Sequence, residues 1–214
     1  MGRMFSPDGK LFAIVDRAAD FAVLSLLWLV CCIPIITIGA STTALYTLAL
    51  RMQRREDYAL FRDFFRAFRQ NFKQAAALTG ILLAALLLLA ADARLLTLGM
   101  VPGGRAGLCL ICALAALVVM TGSYVFALLA FFDDPVLAHL RNAVLMSLRY
   151  FPRTVLVLLT SFGPAAAAAA VYQNTHLPAY LVLVFGAALS ARINSFFLYP
   201  VFQKHLPADP EVPA

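Results

Sequence analysis

The chain has 214 residues, of which 63% are hydrophobic and 13% charged. Soluble domains carry about 25% charged residues, and a fold this small exposes too much surface for so few charges to cover. The composition therefore excludes an ordinary soluble globule and predicts an all-α, polytopic transmembrane helix bundle. The formal charge of +6 is concentrated in one segment between apolar blocks, which fits membrane orientation and anionic lipid headgroups rather than nucleic acid.

Residues 1–17 are polar, with a turn signal at Ser6-Pro7-Asp8-Gly9. Leu11, Phe12, Val15 and Ala18 share one side, so an interfacial start is expected. No small-x-small site closes the first apolar block, so no cleaved signal is expected. That block, residues 21–50, would run about 45 Å as one helix against a hydrocarbon core of about 30 Å. Pro34 offers a structural break and Gly39 a second, while Ser41, Thr42 and Thr43 can satisfy freed backbone groups. Two readings stay open: one kinked span, or a hairpin of two short helices around Pro34–Gly39.

Residues 51–73 hold Arg51, Arg54, Arg55, Arg62, Arg66, Arg69 and Lys73, interleaved with Phe61, Phe64, Phe65, Phe68 and Phe72. The rings recur on one helical face and the bases fall largely beside or opposite it. This predicts an amphipathic helix lying in the interface, rings down and arginines toward phosphates. A surface helix docked on a partner is the alternative. Nucleic-acid binding needs no embedded phenylalanine row and is not expected.

Next come a span at 75–91, a loop at 92–105 and a longer span at 106–132, closed by Asp133-Asp134-Pro135. Residues 136–153 repeat the basic-aromatic theme more weakly, with Leu137, Leu140, Val144, Leu148 and Phe151 around Arg141, Arg149 and Arg153. Spans follow at 154–171 and 179–202, separated by a short loop at 172–178. The reading totals five spans, or six if the first block is a hairpin. They form a single integral membrane domain over 1–206 with a disordered tail at 207–214. Lys and Arg asymmetry places 51–73, 133–153 and the C-terminus on the cytoplasmic side of the membrane. The side of the N-terminus depends on the first block.

Few residues carry chemistry. Arg192 sits in an apolar context near the end of the last span, either snorkelling to headgroups or serving a ligand, anion or gating role. Asn194 and Ser195 beside it are suited to bonds between helices. Adjacent Asp133 and Asp134 do not face the same way and form no acid/base dyad. His139, His176 and His205 are scattered, and no metal-ligand spacing, nucleophile elbow or phosphate loop occurs. Cys31, Cys32, Cys109 and Cys112 lie in apolar stretches and read as packing groups. No enzyme, metal or cofactor is expected.

The block Ile33-Pro34-Ile35-Ile36-Thr37-Ile38-Gly39-Ala40-Ser41-Thr42-Thr43-Ala44-Leu45 resembles the YesL family of small bacterial integral membrane proteins, a domain of unknown function. So do the run from Asp63 to Gln74, Leu140-Arg141-Asn142-Ala143 and Asn194-Ser195-Phe196-Phe197. Matching family-pattern residues are Pro34, Thr37, Gly39, Phe65, Phe68, Asn71 and Phe72. The resemblance implies an accessory role beside carbohydrate ABC importers, with an importer permease as partner, and carries over no catalytic residue. Two hypotheses follow. An accessory subunit would dock through its basic-aromatic helices, whereas an independent transporter would converge Arg192, Asn194, Thr37 and Ser41 on a cavity at mid-membrane.

Overall fold

The computed structural model describes residues 10–54, 56–99, 104–171 and 177–203. The turn expected at 6–9, most of the loop at 172–178 and the tail at 207–214 fall outside them. Among the described residues the fold is all-helical, with no strand. Seven helices follow in order: α1 (Lys10–Cys31), α2 (Ile38–Arg54), α3 (Leu60–Thr97), α4 (Gly104–Phe131), α5 (Val136–Arg149), α6 (Phe151–Val171) and α7 (Leu177–Gln203). A single 3-10 turn, Ile35–Thr37, precedes α2.

The first apolar block is a hairpin. Helix α1 stops at Cys31, Pro34 takes an extended conformation (φ −78°, ψ 128°), and the chain turns back into α2. The Thr37 hydroxyl donates to the carbonyls of Cys31 and Pro34, both at 2.6 Å, and so satisfies backbone groups freed at the turn. Trp28 Nε1 donates to Thr42 Oγ1 at 3.2 Å. Fourteen residues along a straight helix would be about 21 Å apart, so this bond requires the reversal. At the other end of the hairpin the Tyr58 hydroxyl reaches Asp20 Oδ2 at 2.7 Å.

Gly39 has a different role from the soft point expected of it. It lies inside the first turn of α2 and is buried. A Cβ there would stand 2.6 Å from Phe126 Cε1 and 2.8 Å from the Ala75 carbonyl, with the Thr79 hydroxyl nearer still. Only glycine lets α2 cross α3 and α4 this closely.

Helix α3 corrects the expected interfacial helix. Its 38 residues run without interruption from the basic-aromatic segment through the apolar stretch, about 57 Å at the usual rise. Nothing between Leu60 and Thr97 breaks a helix, since the stretch has no proline and Gly80 alone among glycines. The change from charged to apolar at Lys73–Ala75 alters the surroundings of the helix, not its backbone. The uncharged stretch 75–91 fits the hydrocarbon thickness, and the first turns extend beyond it. Residues 92–97, expected as loop, are also helical. The stop comes at Gly99, whose φ of 70° suits a helix C-terminus, with its amide donating to the Leu96 carbonyl at 3.1 Å.

Helices α3 and α4 pair antiparallel, Gly107 lying near Leu96 and Gly122 near Leu82. Between α5 and α6 the chain bends by 104° at Tyr150, on whose ring Arg149 and Arg153 both stack. Among the described residues, three helical segments can cross a membrane by length and composition: Ile35–Arg54, Leu60–Thr97 and Gly104–Phe131. The bent pair α5–α6 makes a fourth if it counts as one span. The core between the helices holds Leu24, Leu48, Phe64, Leu78, Tyr124, Val157, Leu198 and Phe202, all essentially inaccessible.

Candidate functional site

The end of the molecule where α2 finishes and α3 begins gathers charges of both signs. Asp63, in the first turn of α3, is its centre. Its side chain is only 4% exposed, and Oδ2 lies 3.1 Å from Arg51 on α2 and 3.0 Å from the donating Ala59 amide. The Asp63 amide in turn donates to the Ala59 carbonyl at 2.8 Å. Arg62 Nε stands 3.5 Å and Arg66 Nη1 4.0 Å from Oδ1, which has no hydrogen bond of its own. The Ala59 amide first, then Arg51 and Arg62, hold this carboxyl below the usual carboxylate range. One buried carboxylate thus gathers three guanidiniums and ties two helices together.

The aromatic row predicted for this segment divides. Phe64 is fully buried, and Phe68 and Phe72 pack against the core in a chain of ring contacts. Phe61 and Phe65 are 59% and 44% exposed. With Arg62, Arg66, Arg69 and Gln70 they line an open groove on the outer face of α3. The buried face of the helix holds Asp63, Phe64, Ala67, Ala75 and Leu78, rotated from the one the rings alone mark. Asp63 was missed by sequence reasoning. The available signal was its position between Arg62 and Arg66, four residues before the small Ala67.

Of the predicted ligand or gating residues, Asn194 is buried and fully engaged. Its Nδ2 donates to Tyr46 Oη at 3.2 Å and Ser161 Oγ at 2.8 Å, while the Thr160 hydroxyl donates to its Oδ1. The neighbouring Ser190 hydroxyl donates to the Thr160 carbonyl at 2.7 Å, so α2, α6 and α7 are laced together here. The Ser195 hydroxyl turns back to the Arg192 carbonyl. Arg192 is half-buried and donates to Gln53 Oε1 at 3.0 Å, at the charged end of α2. Thr37 is occupied at the hairpin turn. The buried Ser41 hydroxyl makes no conventional hydrogen bond and faces the Cys32 thiol. These four residues therefore occupy three separate places, and none lines either cavity at the charged end.

Asn71 Nδ2 donates to the Ala67 carbonyl at 3.0 Å, and Lys73 and Arg69 are exposed. Among the described residues no group of three His, Cys, Asp or Glu side chains is placed to hold a metal ion.

Residues 21–93 match the family described as "Protein of unknown function, DUF624". The match covers the second half of α1, the hairpin turn, the Gly39 crossing, the Asp63 cluster and most of α3. No curated protein and no solved structure matches the chain.

Proposed function

We propose that the chain is a non-enzymatic accessory subunit of a bacterial plasma membrane complex. It is multi-pass, with the Arg51–Lys73 end in the cytoplasm, and it docks through the exposed ridge of α3. The observation that carries this reading is the division of the polar groups. Asn194 and Thr37 are consumed in ties within the fold, whereas Phe61 and Phe65 stand exposed among Arg62 and Arg69. Exposed aromatics among arginines are the residue types that dominate protein interfaces. The resemblance to YesL supplies the class of partner, the permease of a carbohydrate ABC importer, and with it an accessory or regulatory part in sugar uptake. The alternative, an independent transporter for a polar solute, needs its polar side chains to converge on one path, and the scatter of the four candidates counts against it.

The test is purification of the tagged protein from its native cells in mild detergent, with quantitative mass spectrometry of what accompanies it. A permease recovered in fixed ratio, and lost from a Phe61→Ala, Phe65→Ala double variant that still folds, is the expected result. Recovery of the protein alone under conditions that keep other membrane complexes intact contradicts the docking role and favours the transporter.

A further inference from the structure

A second cavity, of about 530 Å³, opens between α2, α3 and the end of α4. Its walls have opposite sign. On the α2 and α3 side stand Arg51, Arg66 and Lys73 with the polar Gln70, Asn71 and Gln74, and the one carboxylate there, Asp63, is paired with Arg51, so this wall is net positive. Arg66 is ion-paired to Asp63 only at 4.0 Å, beyond hydrogen-bond distance, so its N–H groups are not committed to that carboxylate. On the α4 side stand Asp133 and Leu129, Ala130 and Phe131, which belong to the last turn of a helix, the end that carries its negative pole. No basic residue sits in that turn itself, and Arg54 of α2 meets it through the face of the Phe131 ring.

Lys73 and Asp133 border the same space, both are exposed, and neither forms an ion pair among the described residues. Opposite charges that face one cavity without closing on each other leave room for a ligand carrying both signs. The depth is also defined. Lys73 and Gln74 immediately precede the uncharged stretch 75–91, which puts the cavity where headgroups meet hydrocarbon.

We infer that this cavity binds a phosphoethanolamine group, its phosphate held by Arg66 and Lys73 and its ammonium by Asp133 and the terminal carbonyls of α4. Guanidinium and ammonium donors suit a phosphate. The primary ammonium has three N–H donors for the acidic wall, which a trimethylated headgroup lacks. Diffuse attraction of basic residues to an anionic surface predicts no such discrimination. The site does not depend on the docking role proposed above.

The experiment is lipid titration of the intact protein in detergent, read by native mass spectrometry and thermal unfolding. The probes are phosphatidylethanolamine, phosphatidylcholine, phosphatidylglycerol and soluble glycerophosphoethanolamine. Phosphatidylethanolamine binding about tenfold more tightly than phosphatidylcholine, the loss of one charge-assisted hydrogen bond, is expected. Asp133→Asn, at an exposed position between helices, removes that preference, and Lys73→Ala weakens all phosphate-bearing probes alike. Protection by the soluble headgroup as well as the lipid identifies a free phosphoethanolamine source. Protection by the lipid alone identifies the bilayer as the source. Equal binding of ethanolamine and choline lipids, stronger binding of phosphatidylglycerol, or a preference that survives Asp133→Asn overturns the proposal.

Discussion

The two halves of α3 share one backbone and live in different worlds. Residues 60–79 are wedged against α2 and α4: Asp63 is ion-paired, Phe64 and Leu78 are inaccessible, and Ala75 lies against Gly39. Residues 80–97 touch α4 along one side, at Leu82 and Leu96, and Ile81, Leu83, Leu87, Leu88 and Leu95 are exposed. Gly80 has open space where a side chain would be, while Gly39, opposite the first half, has backbone within 2.8 Å. The first half therefore gets its uniqueness from specific contacts. Within the second half, residues 80–91 are apolar on all sides, which in a helix means lipid or another membrane helix as solvent.

Substitutions can break or sharpen that contrast. Gly39→Val has the largest expected effect. Its side chain meets the Ala75 carbonyl, which cannot swing aside, so stability falls by about 3 kcal/mol, the upper end for overpacking, measurable by thermal unfolding in detergent. Asn194→Leu comes next. It leaves Tyr46, Thr160 and Ser161 without their shared partner and costs about 2 kcal/mol, again read from unfolding midpoints. A wild-type midpoint in either variant would remove the claim that close packing and buried bonds define this part of the fold.

Asp63 gives a pH signature. Because its carboxyl is held below the ordinary range, the charged form stabilises the fold above the unfolded carboxylate value of about 4. That contribution is lost as pH falls through the lower folded value. Unfolding midpoints of wild type should drop on acidification below about pH 4, while Asp63→Asn starts lower and flattens the dependence. Parallel pH curves for the two proteins would contradict the role given to this carboxylate. The smallest expected change is at Gly80, where Gly80→Ala adds helix propensity without a clash and raises stability by about 1 kcal/mol. A loss of stability there would show that the second half of α3 packs as tightly as the first.

Much of the helical pattern was legible in the sequence, because long apolar runs, such as the one closed by Asp133-Asp134-Pro135, leave a chain few alternatives. The hairpin was not decidable from Pro34 alone, since a proline introduces the same local break in a kink and in a reversal. The deciding fact is tertiary: Trp28 bonds to Thr42. The continuity of α3 was hidden for a related reason. Polarity changes sharply at Lys73–Ala75, and polarity reports what surrounds a helix more directly than where it ends. At the charged end the arginines and rings were found, but their sorting was not. Phe64 and Phe65 are neighbours in sequence, yet one is inaccessible and the other faces out. Asp63 gained its role only when α2 brought Arg51 beside it.

The central claim is that the first apolar block doubles back as a hairpin, so that the start of α1 and the Asp63 cluster lie at the same end of the molecule. Its most direct test is labelling of single cysteines with a membrane-impermeant maleimide, in intact cells and in inverted vesicles, on a cysteine-free background. Arg17→Cys, Asp57→Cys and Arg69→Cys are predicted to label together in inverted vesicles, with Leu98→Cys labelling from the opposite side. Labelling of Arg17→Cys with Leu98→Cys, opposite to Asp57→Cys, would make residues 21–50 a single kinked span and contradict the fold described here.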